Sequence, residues 1–160
     1  MTSEATAMAM QQFSQSLPMM LYRALNAVMP RFRLIFNEFG ITEQQWRVLR
    51  VLWEQDGTAF HELAGLTLIP PPSLVGIIDR LQAAGLVERR RSDSDRRSVF
   101  VHLTTQGAAL ESEVMPRVQQ SYFELRSSVD DQVWRQLQAG LEQVSKLEPS
   151  TPTASKATNE

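Results

Sequence analysis

The residues with the most distinctive chemistry lie in the stretch SDSDRRSVFVHLTTQG, which runs from Ser92 to Gly107. Arg96 and Arg97 stand side by side behind two aspartates, and an alternation of apolar and polar residues follows within three positions. Guanidinium groups make planar, bidentate contacts to phosphate or carboxylate groups. The stretch therefore predicts a charged tip on a β-strand, with an anion as the partner of the arginines.

The positive charge of the chain is local. The formal net charge is −2, yet residues 73–104 carry six arginines against four acidic residues, whereas residues 105–160 carry five basic and eight acidic residues. Net charge alone therefore does not argue against a nucleic-acid partner, because the basic residues are concentrated in one segment. A solvated, arginine-rich face is the structural alternative, and composition does not separate the two.

Other kinds of chemistry lack the residues that they need. The chain has no cysteine, which excludes a disulfide, a zinc-thiolate site and a thiol-based peroxide sensor. It has no GxGxxG, no phosphate loop ending in Gly-Lys, no GxSxG and no HExxH, and its two histidines are far apart in the sequence. We therefore expect no enzymatic activity, no cofactor and no metal.

Length and hydropathy bound the architecture. A chain of 160 residues that is 42% hydrophobic suits one domain with a moderate hydrophobic core, or two halves that share a single core. No apolar run approaches the ~20 residues that span a bilayer, and the start MTSEATAMAMQQF lacks the order of a signal peptide. We expect a cytoplasmic protein with no membrane partner.

Helical periodicity dominates the first 70 residues. Residues 17–39 carry apolar side chains at three- and four-residue steps, with Pro30 as the expected kink and Gly40 as the stop. Thr42 and Gln45 predict a capping box that opens TEQQWRVLRVLWEQ, and Asp56-Gly57 ends that helix. The segment FHELAGLTL predicts a short third helix, whose inward residues are Phe60, Leu63, Ala64 and Leu68.

The segment IPPPSLVGIIDRLQAAGLVERR predicts the helix of greatest functional interest. It begins at Pro72 and Ser73 and ends at Gly85. Gly76 lies in its middle, where glycine costs about 1 kcal/mol relative to alanine, so something approaches closely there: a ligand surface or a neighbouring helix. The predicted buried stripe is Leu74, Ile77, Ile78 and Leu81, and the opposite face holds Ser73, Gly76, Arg80 and Ala83.

Two alternating runs, LVERRRS and SVFVHL, flank SDSDRR and predict a β-hairpin with the charged residues at its tip. Val99, Val101 and Leu103 share one face of the second strand, while Phe100 and His102 share the other. His102 has no evident partner and is interpreted as structural. Two helices, a tight turn and a hairpin make a winged helix-turn-helix, in which the second helix enters the major groove of DNA and a wing arginine reaches phosphates or the minor groove.

The remaining chain predicts a helical layer for dimerisation. Broad apolar stripes follow Thr105, and a winged domain of about 65 residues cannot cover them together with the first helix. We expect a mainly α fold with a small β wing, assembled as a two-fold homodimer that reads a pseudo-palindromic operator. The predicted layout is a flexible N-terminus (1–16), a dimerisation helix (17–41), a winged helix-turn-helix domain (42–104), C-terminal dimerisation helices (105–148) and a disordered tail (149–160).

The residues from the wing to the next helix resemble those of a known family. Asp95-Arg96-Arg97, five further residues and Leu103-Thr104-Thr105-Gln106-Gly107 match the DxRxxxxxLTxxG wing pattern of the MarR family of bacterial regulators. The segments TEQQWRVLRVL, FHELA and PSLVGIIDRLQAAGLVERR resemble the branch of that family that includes the regulator of homoprotocatechuate degradation. The similarity covers roughly residues 17–148.

The resemblance implies a dimeric repressor bound to operator DNA in the nucleoid. In many members of the family, a phenolic or aromatic carboxylate binds between the winged lobe and the dimer layer and releases the DNA. The rigid run Pro70 to Pro72 departs from the family pattern and puts the docking angle of the following helix in question. By this resemblance, the major-groove residues are Ser73, Val75, Gly76 and Arg80, the wing residues are Arg96 and Arg97, and Asp95 braces an arginine.

An effector pocket for such a ligand needs a cation, an aromatic wall and a polar group. Arg33, Trp46 and His61 fit these three roles, with Arg23, Arg47 and Tyr122 behind them. A core position for Trp46 and a purely structural role for His61 are the alternatives. For the whole chain, the alternative function is a winged-helix module that binds DNA or protein without responding to a ligand.

Overall fold

The computed structural model describes residues 13–91 and 98–147, so that Asp95, Arg96, Arg97 and the predicted tail 149–160 lie outside the described residues. Helices make up most of the described chain, and three short strands form one sheet. After a single 3-10 turn (Phe13–Gln15), the elements are α1 (Leu17–Glu38), α2 (Glu43–Glu54), β1 (Thr58–Ala59), α3 (Phe60–Thr67), α4 (Pro71–Ala83), β2 (Val87–Arg91), β3 (Val99–Leu103), α5 (Thr105–Ser127) and α6 (Asp131–Ser145).

The junction between α1 and α2 follows local signals that the sequence carries. Gly40 adopts a φ of +67°, and the Ile41 amide donates to the Phe36 carbonyl at 3.0 Å, which closes the end of α1. The Gln45 amide donates to Thr42 Oγ1 at 3.2 Å, while the Thr42 amide donates to Gln45 Oε1 at 2.8 Å. The predicted stop and capping box are confirmed, and α1 continues through Pro30.

The core lies among α2, α3, α4 and the sheet. The predicted stripe of α4 is confirmed, because its four residues are each at most 1% exposed. At the end of α3, the prediction for Leu68 is wrong. Leu68 is 84% exposed with a φ of +54°, since the chain turns left-handed there and directs Thr67 and Ile69 inward instead.

The sheet is antiparallel, with the strand order β1-β3-β2. The predicted hairpin is confirmed: Val87 pairs with Leu103, and Arg91 pairs with Val99. Strand β1 was not predicted from the sequence; its Thr58 pairs with Val101 on the other side of β3. Val101, in the middle, is fully buried, so the sheet is anchored in the core through its central strand.

His102 has a partner that sequence analysis did not find. Its Nδ1 atom lies 3.6 Å from Asp56 Oδ2, and the other oxygen of Asp56 accepts a hydrogen bond from the Leu103 amide at 2.7 Å. Gly57 beside it has a φ of +70°, and a Cβ atom there would lie 2.5 Å from His102 Cε1. The turn after α2 is therefore joined to β3 by side-chain and steric contacts.

The segment LTTQG joins the sheet to α5. Thr104 Oγ1 accepts a hydrogen bond from the Gly107 amide at 3.0 Å and donates one to the Gly85 carbonyl at 2.6 Å. The Thr104 hydroxyl therefore caps α5 and also contacts the chain just after α4. Trp53 Nε1 donates to the Gly107 carbonyl at 2.9 Å, which adds α2 to the same junction.

The chain divides into two compact units, residues 1–122 and 123–160. In the described part of the second unit, Asp130 caps α6 by accepting hydrogen bonds from the Gln132 and Val133 amides. Arg126 pairs with Asp131 and lies over the Trp134 ring at 5.3 Å. None of the residues of α6 is buried. Within residues 13–91 and 98–147, none of the helices combines the length and the hydropathy of a membrane span.

Candidate nucleic-acid interface and ligand pocket

The outward face of α4 is open and carries one arginine. Ser73 and Arg80 are exposed, and Val75 is 45% exposed. A Cβ atom on Gly76 would meet only Arg80 Nη1, at 3.6 Å. Among the described residues no neighbouring helix packs against Gly76, so the free space on this face suits the approach of a binding partner. All four residues that the sequence assigns to the major groove lie on this helix, away from its buried stripe.

The three prolines ahead of this face belong to the start of α4. Pro70 is the N-cap residue, and Pro71 and Pro72 occupy the first two helical positions, where proline suits the backbone and its missing amide is no loss. The Ser73 and Leu74 amides both donate to the Pro70 carbonyl at 3.0 Å. The proline run therefore sets a rigid beginning for the helix.

The wing is held against α4 by an arginine that sequence analysis did not select. Arg89 Nη2 lies 2.6 Å from Asp79 Oδ1 and 3.3 Å from the Val75 carbonyl oxygen, and Arg89 Nη1 donates to Gln82 Oε1 at 3.1 Å. One signal could have found it: Arg89 shares its face of β2 with the buried Val87, where an apolar residue is expected.

The other two arginines of β2 are more exposed than Arg89. Arg90 pairs with Glu88 on its own strand, with Nε donating to Glu88 Oε1 at 2.8 Å, and Arg91 is exposed at the last position of the strand. The chain then continues into 92–97, which contains Asp95, Arg96 and Arg97. Their assignment to the wing tip rests on the hairpin that flanks them.

Two of the candidate ligand-binding cations meet on one carboxylate. Arg33 Nε lies 2.9 Å from Glu43 Oε2, and Arg47 Nη2 lies 2.8 Å from Glu43 Oε1. Partial burial alone raises the pKa of the Glu43 carboxyl, but hydrogen bonds from Arg47 and Arg33 and the charges of both guanidinium groups outweigh this effect, so the pKa lies below its ordinary value of 4.5. The cluster carries one net positive charge.

The aromatic and polar candidates lie in different surroundings. Trp46 stacks on Phe36 with ring centroids 4.7 Å apart and meets Trp53 edge-on at 5.5 Å, which agrees with the core alternative for Trp46. His61 is exposed on α3 and borders an open groove of about 500 Å³ beside Val75, Asp79 and Arg89. Arg23 is exposed on α1 and Tyr122 is about half exposed on α5. The structure thus brings Arg33 and Arg47 together and places His61 beside α4 and the wing.

The described residues hold no cluster of three or more histidine, aspartate or glutamate side chains with the geometry of a metal site.

Comparisons with known proteins agree with this geometry. The model of the MarR family matches residues 41–99. The homoprotocatechuate degradative operon repressor of Escherichia coli is 35% identical over 80% of this chain and 86% of its own. The solved structure of NadR in complex with 4-hydroxyphenylacetate is 36% identical, with a TM-score of 0.72 over 87% of this chain and 99% of that chain. The structure of the repressor CouR bound to a 23-mer DNA duplex is 28% identical, with a TM-score of 0.77 over 86% and 97% of the two chains.

Proposed function

Because this chain belongs to the MarR family of transcriptional regulators, which are DNA-binding proteins and not enzymes, we propose that it represses genes of aromatic catabolism. In this proposal a two-fold dimer binds a pseudo-palindromic operator. A small phenolic or aromatic carboxylate binds the dimer and releases it from the DNA. The observation that carries the proposal is the open face of α4, where Gly76 leaves space beside the Arg80 guanidinium.

The chemistry of α4 supports DNA as the partner. A helix of this kind enters the major groove, where arginine hydrogen-bonds guanine and small apolar side chains contact the thymine methyl group. Arg80 and Val75 supply these two contacts, and Ser73 supplies a hydroxyl at the beginning of the helix. Arg96 and Arg97 then serve the wing by contacting phosphates or the minor groove, with Asp95 bracing one of them. CouR, a relative in fold and sequence, is a repressor whose structure contains DNA.

Unburied apolar surface supports the dimer. On α1, Leu17, Met20, Leu21 and Leu25 are exposed, and on α6 so are Val133, Leu137 and Leu141. Such stripes on single helices are stable when a partner covers them, and homodimers with two-fold symmetry are the commonest solution. The two copies of α4 then bind two operator half-sites that lie about one turn of DNA apart.

The cation cluster supports an acidic effector. The guanidinium groups of Arg33 and Arg47 both pair with Glu43, which leaves one net positive charge. A ligand carboxylate can bind to these two guanidinium groups. Trp46, His61, Arg23 and Tyr122 complete the proposed ligand-binding set. NadR, whose structure holds 4-hydroxyphenylacetate, gives the ligand class. The effector binds more tightly when the two winged lobes have a different spacing from that of the DNA-bound dimer. It lowers DNA affinity by the difference between its binding free energies for these two lobe spacings.

A ligand-independent winged-helix module is the second candidate. The packing of Trp46 on Phe36 favours it, because this ring then serves the core rather than a pocket. This second candidate binds DNA or protein without responding to a ligand, and both candidates act in the cytoplasm.

A mobility-shift titration with the DNA upstream of the protein's own gene separates the two candidates. We expect specific binding by the dimer, and release by a hydroxyphenylacetate-like acid. Arg33→Ala should blunt that release and leave binding without the acid unchanged. Absence of release by any phenolic acid would remove the effector from the proposal, and absence of specific binding would remove the operator.

A further inference from the structure

The Arg89 side chain connects β2 to α4, and we call this set of contacts the brace. Its guanidinium group reaches Asp79, Gln82 and the Val75 carbonyl, which are spaced four and three residues apart and so lie along one side of the helix. We propose that Arg89 is a positioning residue: it fixes the wing against α4 and thereby sets DNA affinity without contacting DNA itself. This inference rests on the proposed DNA-binding function.

The direction of the Arg89 side chain supports a role inside the domain. Alternate residues of a strand point to opposite faces, so Arg89 shares the face of the buried Val87, while Arg90 points to the other face. The Arg89 side chain is only 29% exposed, and its charged head lies on the helix. Three acceptors of α4 engage this guanidinium group, which leaves the cation less available to a phosphate than an exposed arginine would be.

Asp79 is otherwise hard to explain at its position. Its side chain is 57% exposed on the helix assigned to the major groove, where a carboxylate repels the phosphates of DNA. A brace accounts for it, because Asp79 is the anion that holds Arg89. A partly exposed ion pair contributes little to overall stability. We therefore expect this pair mainly to fix the angle between the wing and α4.

Removing Asp79 therefore separates two mechanisms by the sign of the result. If Asp79 only repels DNA, or if it withholds Arg89 from a phosphate, Asp79→Ala tightens binding. If the pair is a brace, Asp79→Ala weakens binding although it removes a negative charge near the DNA. Alanine favours a helix more than aspartate does, so the substitution suits the fold of α4.

The experiment measures binding of the full-length protein to a duplex that the wild-type protein selects from a random pool. We expect Asp79→Ala to weaken binding about tenfold. The matched control is Glu62→Ala, which removes an exposed acid from α3; binding should stay the same or tighten. Arg89→Met should match Asp79→Ala, and the double variant should be no weaker than either single variant, because both changes remove the same contact.

Two further measurements distinguish a residue that positions the wing from one that only stabilises the fold. The reversed pair, Asp79→Arg with Arg89→Asp, should recover part of the affinity, and Arg89→Met should lower the dependence of affinity on salt because the wing loses phosphate contacts. Asp79→Asn serves as a second variant if Asp79→Ala does not fold. If the wild-type protein selects no duplex, the proposed function fails and the brace with it. If the wild-type protein binds but Asp79→Ala binds equally or more tightly, or if the single effects add in the double variant, only the brace is overturned.

Discussion

A side chain at Gly107 would place its Cβ atom 1.9 Å from the carbonyl oxygen of Leu86. The first turn of α5 therefore runs against the chain between α4 and β2 at a distance that only glycine permits. Gly107 is the final residue of the LTxxG pattern, and Thr104 of the same pattern hydrogen-bonds both Gly107 and Gly85. The wing pattern thus joins the winged domain to the long helix α5.

From this contact we expect Gly107→Ala to destabilise the fold by about 3 kcal/mol, because backbone must move to remove the overlap. Thermal unfolding, followed by tryptophan fluorescence, measures the change, since Trp53 Nε1 donates to the Gly107 carbonyl. Gly140→Ala is the control. A Cβ atom there meets nothing within 4 Å in α6, so this variant should gain up to about 1 kcal/mol. Equal unfolding temperatures for the two variants would contradict the close contact.

Gly76→Leu should weaken operator binding at least about tenfold without unfolding the protein, since the added side chain fills the open face of α4 and displaces the Arg80 guanidinium. Fluorescence anisotropy with labelled DNA gives the affinity, and circular dichroism gives the unfolding temperature. Gly76→Ala adds only a Cβ atom at ordinary contact distance from Arg80 and should keep most of the affinity. Tight binding by Gly76→Leu would mean that another surface meets the DNA.

Arg97→Ala should lower affinity for the operator and leave the dimer intact. If Arg97 contacts a phosphate, the slope of log affinity against log salt concentration falls by about one. Titrations at several salt concentrations measure the slope, and size-exclusion chromatography measures the dimer. Arg135→Ala, which removes an exposed cation from α6, is the control and should leave the slope unchanged. An unchanged affinity of Arg97→Ala at moderate salt would remove Arg97 from the wing contacts.

The Glu43 cluster should make folding sensitive to acid. Because the pKa of Glu43 is lower in the folded protein than its ordinary value of 4.5, this group stabilises the fold above that value, and the contribution disappears as the pH falls through the folded pKa. Glu43→Gln should therefore cost up to about 1 kcal/mol at neutral pH and close to nothing in strong acid. Urea unfolding between neutral and acidic pH compares the variant with wild type. A cost that stays constant across this range would assign the effect to hydrogen bonding alone.

Local signals explain why much of the fold was predictable. The stripe of α4 and the Thr42–Gln45 capping box depend on residues within one helix, and both are confirmed. The strand β1 was missed because two residues, Thr58 and Ala59, show no period. The prediction for Leu68 failed because it continued a helical period past the point where the chain turns left-handed.

The candidate site was predictable only in part. The exposed face of α4 follows from its buried stripe, so Ser73, Gly76 and Arg80 could be chosen from periodicity alone. Strand alternation places Arg89 on the face of the buried Val87, but its partner Asp79, 10 residues away in sequence, depends on which side of α4 meets β2. The same holds for His102 and Asp56, which are distant in sequence and adjacent in space.

Hydroxyl-radical footprinting of the wild-type protein on its operator tests whether a dimer reads DNA through the open face of α4. We expect two protected patches centred about 10 base pairs apart and related by two-fold symmetry, because a dimer presents two copies of α4 to successive turns of the major groove. Arg80→Ala should abolish both patches together. A single protected patch, or protection that persists in Arg80→Ala, would contradict a dimeric regulator that reads DNA through the open face of α4.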